Sequence, residues 1–206
     1  MIKIGILGDI GSGKSFVAKQ FCFPVFDADK EVNKIYKKNK FCFKSLKNKL
    51  PKFIKSYPIN KIEISRAILS NNKNLSKIVK IVHPLVKKEM KKFLKKNNKK
   101  RMVILDIPLL IENKLNKNKD ILIYVEANKK DIQKRLVKRK GYNKKLIENF
   151  KKIQCPLIKK KRLSNYIIKN NFKSSTIKKK IDIIKKKNFK IDERNSVRYR
   201  NNRAPG

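Results

Sequence analysis

The chain has 206 residues, 40% of them hydrophobic, which is enough for one domain with a sizeable core. Lys and Arg number 58 against 15 acidic residues, and a formal net charge of +43 raises the question of nucleic acid. Only nine of the basic residues are Arg, while Lys, Asn and Ile, all with A/T-rich codons, are inflated together; the charge reads as composition bias on solvated faces, not a dedicated nucleic-acid surface.

Lysine runs such as Lys159-Lys160-Lys161 are spread along the chain and read as solvated. No apolar run is long enough for a membrane span. The N-terminus passes from Met1 into an apolar run without the layout of a signal peptide, so a cytoplasmic protein is expected. Cys22, Cys42 and Cys155 show no CxxC spacing and read as reduced, inert thiols.

Residues 2–7 (IKIGIL) predict a strand, then a glycine-rich loop, then a helix through Phe16, Val17 and Phe21. Pro24-Val25-Phe26 predicts a short second strand, ending at Asp27-Ala28-Asp29, with a helix after it through Val32 and Ile35. Residues 40–99 are helical in pattern and Lys-rich, with breaks expected at Pro51, Pro58 and Pro84. RMVILDI (101–107) predicts a buried strand stopped by Pro108, and ILIYV (121–125) another. Helices follow over 129–139 and 144–154, with Gly141 between them. Tyr166-Ile167-Ile168 predicts a last strand and 173–187 a last helix. Strands alternating with helices mean an α/β fold with a parallel sheet flanked by helices.

Four of the six glycines (Gly5, Gly8, Gly11, Gly13) fall within the first thirteen positions. Gly8-Asp9-Ile10-Gly11-Ser12-Gly13-Lys14-Ser15 fits GxxxxGK[ST] and lies between a predicted strand and a predicted helix, the context that gives the motif meaning. Such a loop turns backbone N–H groups inward around phosphates, where side chains would obstruct. Lys14 reaches the β- and γ-phosphates of ATP, and the Ser15 hydroxyl ligates Mg²⁺.

Asn128-Lys129-Lys130-Asp131 matches NKxD, the guanine-reading motif of GTPases. No glycine lies between Gly13 and Gly141, so a DxxG switch cannot be built and that class is excluded. A small-molecule kinase remains, needing an acceptor-side carboxylate and a lid. Asp27 and Asp29 close the second strand beside the loop; Asp29 can take or orient the acceptor hydroxyl's proton, although either aspartate can equally cap a helix. Arg135 and Arg139, at i and i+4 of one predicted helix, can reach the transferring phosphoryl group or sit on a solvated face. Asp106 ends a buried strand and can help place Mg²⁺ or simply close the strand.

The set resembles the dephospho-CoA kinase family. The pieces are Gly8 to Ser15, DAD at 27–29, SRAIL at 65–69, HPLV at 83–86, DIPLLIEN at 106–113, RLVKR at 135–139, and Gln154 with SNYIIKNN at 164–171. The resemblance implies a P-loop kinase domain over 1–191. Its nucleotide core is 1–35, 100–130 and 160–190, with a helical CoA-binding insertion over 36–99 and a lid over 131–160. It implies Asp29 as catalytic carboxylate and Gly11 to Phe16 as the ATP loop. Arg66, His83, Pro108, Leu109 and Leu110 would line the acceptor side, beside Asp27. Arg135 and Arg139 would belong to the lid, and Asn170 would lie near the adenine. The implied reaction is transfer of the ATP γ-phosphate to the 3′-hydroxyl of dephospho-CoA, by a monomer or small homo-oligomer. The expected partner is that small molecule, with no specific nucleic acid and no membrane. Another P-loop kinase, of nucleotide or shikimate type, and a nucleic-acid-binding ATPase are the alternatives.

The chain departs from the family pattern in places. Phe16 stands where Thr is usual, Ile132 and Gln133 displace a lid Gln, Ser164-Asn165 replaces Ala-Asp, and Phe172 replaces a Gly after Asn171. Residues 192–206 carry four of the nine arginines and no lysine. Disorder is expected there. With ordinary codons, a shifted frame approximates M-R-E-I-V-L-D-T-E-T-T-G, which resembles the start of a DEDD-type exonuclease, so the tail is expected to overlap a downstream gene. A nucleotide sequence without ATG in that frame at Asp192 would end that idea.

Overall fold

Strand β1 (Ile2–Gly8) lies at the centre of a five-stranded sheet. The computed structural model describes residues 1–113, 115–139 and 141–201, with side chains through Phe189. The sheet order is β2-β3-β1-β4-β5, with β2 at Val25–Asp27, β3 at Met102–Asp106, β4 at Ile121–Glu126 and β5 at Tyr166–Lys169. Every pairing is parallel, so the carboxyl ends of all five strands share one edge of the sheet. All five residues of β3 are buried, as a strand covered on both faces requires.

Alternation along the strands feeds two cores. Ile4, Ile6, Ile104 and Ile123 pack on one face against helices α1 (Lys14–Gln20) and α9 (Ser174–Asn201). Leu7, Leu105, Leu122 and Tyr124 pack on the other face. That face is covered by α2 (Ala28–Lys38), α3 (Lys40–Lys49), α4 (Lys61–Ser70) and α5 (Asn72–Lys96). Helices α6 (Lys129–Val137), α7 (Lys144–Lys152) and α8 (Leu157–Arg162) fill the interval between β4 and β5.

Asparagine, inflated by composition, is put to structural use. Asn39, Asn60, Asn71, Asn128 and Asn143 cap α3, α4, α5, α6 and α7, each side chain accepting a backbone N–H of the first turn. The break expected at Pro84 does not occur. Helix α5 runs 25 residues through it. Pro84 lacks the N–H that would bond the carbonyl four residues back, a loss of about 3 kcal/mol. Leu75, Ile78, Val82, Val86 and Met90, all buried, hold the helix to the core on both sides of it. Helix α9 continues past the expected end at 187 to Asn201. The expected tail lies where side chains, and for 202–206 the backbone, fall outside the described residues. Among the described residues no helix is long and apolar enough to cross a membrane.

Candidate active site

The turn between β1 and α1 is built by close approach. Gly13, the N-cap of α1, has φ +87°. A Cβ there would strain the backbone, meet the Asn170 amide and lie 2.8 Å from the Phe172 ring. A Cβ on Gly11 would lie 3.0 Å from Leu136 Cγ and 3.1 Å from Ile132 Cγ2. These two glycines therefore admit α6 and the loop after β5 against the turn, a packing role beyond clearing space for phosphate. The α1 N-terminus carries no side-chain cap and no acidic residue in its first turn, which leaves its N–H groups and positive dipole end for an anion.

Lys14 Nζ donates to Gly8 O at 3.2 Å and to Asp9 O at 2.7 Å, folded over the loop it serves. Burial draws its ammonium down to about 8; Lys160 acts in the same direction, while Asp106, Asp9 and Asp29 oppose it. Asp9 Oδ1 accepts the Ile10 N–H at 2.7 Å, and Asp9 Oδ2 lies 3.5 Å from Lys151 Nζ, which ties α7 to the turn. Phe16 turns inward against the core beneath α1.

Asp106 ends β3 and is 6% exposed. Burial raises its carboxyl above the ordinary range, against a hydrogen bond from the Ser15 hydroxyl and the charge of Lys14. Ser15, Asp106 and Asp27 line one cleft of about 280 Å³, rimmed by Lys19 and Lys30. Among the described residues no three His, Cys, Asp or Glu side chains gather into a metal cage. A magnesium ion arriving with a nucleotide needs only one or two protein oxygens, because water and phosphate complete its shell. Ser15 and Asp106 fit that requirement.

The two aspartates of DAD separate by role. Asp27 caps α2, its Oδ1 accepting the Lys30 N–H at 3.0 Å. Asp29 stands one residue into the helix, and no described group hydrogen-bonds its carboxylate. The residue keeps an exposed surface, yet desolvation by the protein packed around its carboxylate raises its pKa. Asp27 adds to the rise, while Lys14, Lys61 and Arg139 counter it. Lys14, Asp106 and Asp29 thus share one electrostatic site.

The expected arginine pair divides. Helix α6 ends at Val137, so Arg139 lies beyond the Lys138 C-cap and the pair does not share a helix face as i and i+4. Arg139 acts on Asp29. Arg135, in the last turn of α6, lays its guanidinium 4.0 Å from the centre of the Phe172 ring. Asn128, of the NKxD match, caps α6 by accepting the Lys130 N–H at 2.9 Å.

On the acceptor side, Arg66 is exposed on α4. His83 is half-buried on α5; burial lowers its pKa, against Asn113 and Glu112. Asn113 Nδ2 lies 3.4 Å from His83 Nε2 and donates to Leu109 O at 2.7 Å, linking α5 to the segment after β3. Pro108 and Leu109 are half-buried, but Leu110 is fully buried with its methyl against Gly5, so its side chain belongs to the core. Asn170 Nδ2 donates to Ser12 O at 2.8 Å and Asn170 Oδ1 accepts the Phe172 N–H at 2.8 Å; its amide fastens the loop after β5 to the turn.

One lysine of the run read as solvated is not. Lys160 is 1% exposed, with Nζ 2.9 Å from Glu112 Oε1 and 3.0 Å from Gln154 Oε1. Glu112 Oε1 also accepts the Cys155 N–H at 2.7 Å. A run of identical residues carries no periodicity, so nothing in the sequence singles out its middle member. Asn149 on α7, also buried, donates to Ile68 O of α4 at 3.4 Å.

The dephospho-CoA kinase family model matches residues 2–176. A dephospho-CoA kinase of Bartonella henselae is 36% identical over 129 residues, 60% of this chain and 66% of that protein, just under two thirds of its length. One of Ehrlichia canis is 29% identical over 183 residues, 86% of this chain and 91% of that protein. The crystal structure of TT1252 from Thermus thermophilus shares the fold, with TM-score 0.73 and 23% identity over 90% of this chain and 97% of that one. With its P-loop, DAD and DIPLLIEN segments meeting at one edge of the sheet, the chain belongs to the dephospho-CoA kinase family.

Proposed function

We propose that this chain transfers the γ-phosphate of ATP to the 3′-hydroxyl of dephospho-CoA, giving coenzyme A and ADP. The observation that carries this reading is that the β1–α1 turn bearing Lys14, the end of β2 leading to Asp29 and the end of β3 bearing Asp106 lie along the carboxyl edge of one parallel sheet, with Ser15, Asp27 and Asp106 lining one cleft. A cation for the phosphates and an uncommitted carboxylate for a hydroxyl are the two groups that such a transfer needs.

The loop N–H groups and the α1 dipole end hold the triphosphate, and Lys14 turns from the Gly8 and Asp9 carbonyls to the β- and γ-oxygens. Ser15 and Asp106 would hold Mg²⁺, which neutralises phosphate charge when bound. Asp29 orients the acceptor hydroxyl and takes its proton as the new P–O bond forms. Arg139, already acting on Asp29, moves onto the transferring group. The helical insertion, 36–99, receives the acceptor, with Arg66 toward its phosphates and His83 held by Asn113. The segment 131–160 closes as a lid and excludes water. The work is positioning and electrostatics. We place it in the cytoplasm, with the protein acting as a monomer or small homo-oligomer.

ADP release measured with dephospho-CoA, nucleoside monophosphates, shikimate, RNA or no acceptor tests the reading. Release that depends on dephospho-CoA supports it. Equal or faster release with another acceptor, or stimulation by RNA alone, contradicts it.

A further inference from the structure

Phe172 adopts φ +61°, a conformation that L side chains avoid. A bulky residue persists there only where the surroundings hold it. Two contacts do so. Its N–H bonds Asn170 Oδ1 at 2.8 Å, and its ring edge lies against the Gly13 end of α1, where a Cβ would come within 2.8 Å. One ring face supports the Arg135 guanidinium at 4.0 Å. Arg135 is nonetheless exposed, so the guanidinium resting over that ring stays accessible from solvent beside the P-loop.

Topology says what that face can meet. The turn follows the central strand β1. Asp27, Asp29 and Asp106 lie on the β3–β2 side of it, and the terminal phosphate must point there. A linear triphosphate then places its sugar and base on the opposite, β4–β5 side, where α6 and the loop after β5 bring Arg135 and Phe172 together.

We propose that Phe172 is a positioning residue for the donor nucleotide: its ring fixes Arg135 as a planar shelf on which the nucleobase stacks. Arginine planes and aromatic rings both suit this contact, which depends on a base having a face more than on its edge. The assignment moves Arg135 away from the phosphoryl group and leaves Arg139 alone there. It rests on ATP as the donor and not on the identity of the acceptor.

Calorimetric affinities for ATP and for inorganic tripolyphosphate, without acceptor, separate base from phosphate binding. Phe172→Gly suits the local φ and should fold, which a thermal melt confirms. It should weaken ATP about five- to tenfold and tripolyphosphate less than about twofold. Phe172→Tyr should restore ATP affinity, and Arg135→Ala added to Phe172→Gly should weaken ATP little further. Equal weakening of both ligands would assign Phe172 a structural role in the turn and overturn the proposal, as would unchanged ATP affinity or additive effects. Failure of the intact chain to bind ATP would instead remove the donor reading itself, and this proposal with it.

Discussion

Lys160 Nζ sits 2.9 Å from Glu112 Oε1, a buried pair that joins helix α8 to the segment after β3. Glu112 Oε1 is shared with the Cys155 N–H, while its Oε2 is buried with no hydrogen-bond partner among the described residues. The pair links the α7–α8 junction to the strand end bearing Asp106, and the Lys160 charge reaches Lys14. Removing one partner strands the other charge. Lys160→Met should lower stability in urea melts by about 3–5 kcal/mol. Lys160→Met combined with Glu112→Leu should recover most of that loss. Additive losses would contradict the pairing.

The two aspartates of DAD should respond to substitution in opposite ways. Asp27→Ala removes the α2 cap and should lower stability by about 1 kcal/mol. Asp29→Ala removes a carboxylate whose charged form the fold disfavours, so the protein should be no less stable at pH 7. Its kcat should fall about a hundredfold or more, as removal of a base that takes the acceptor proton requires. Chemical melts and turnover on the same two proteins check both effects. A stable, active Asp29→Ala would place the acceptor carboxylate elsewhere.

Lys14 gives a pH signature. Its folded value of about 8 lies below the unfolded 10.5. Between those values the unfolded chain keeps a proton that the folded chain has released, so stability rises with pH through this window. Phosphate capture runs the other way, since it needs the ammonium. The kcat/KM for ATP, which reports the free enzyme, should fall above about pH 8. Lys14→Arg keeps its charge and should lose that alkaline limb. The raised Asp29 carboxyl should place the acid limb above the ordinary carboxylate range, and Asp29→Asn should remove it.

The charge of +43 should speed the approach of polyanionic substrates. The kcat/KM should fall about tenfold as ionic strength rises from low to physiological and beyond, because exposed charges are screened within about 8–10 Å there. The kcat should hold. A salt-independent kcat/KM would mean that the lysines are too dispersed to steer.

Much of the sheet was legible because buried parallel strands are short apolar runs. IKIGIL, RMVILDI and ILIYV each became a strand within about a residue of its expected ends. The phosphate loop was legible because its chemistry requires a fixed spacing. Pro84 misled because packing on both sides outweighed a local rule. Arg135 and Arg139 misled because α6 stops at Val137, and the spacing has meaning only while the helix lasts. Lys160 was hidden in a run of its own kind, and the Arg135–Phe172 contact joins residues 37 positions apart in sequence, beyond any local pattern.

Mass analysis of the product made from γ-labelled ATP and dephospho-CoA, before and after 3′-nucleotidase, bears on the whole mechanism. The placement of Lys14 and Asp29 at the starts of helices that leave one edge of the sheet predicts one added phosphate, carrying the label and removed by the nucleotidase, with Asp29→Ala making about a hundredth as much. Label released only as inorganic phosphate, or a product resistant to the nucleotidase, would contradict it.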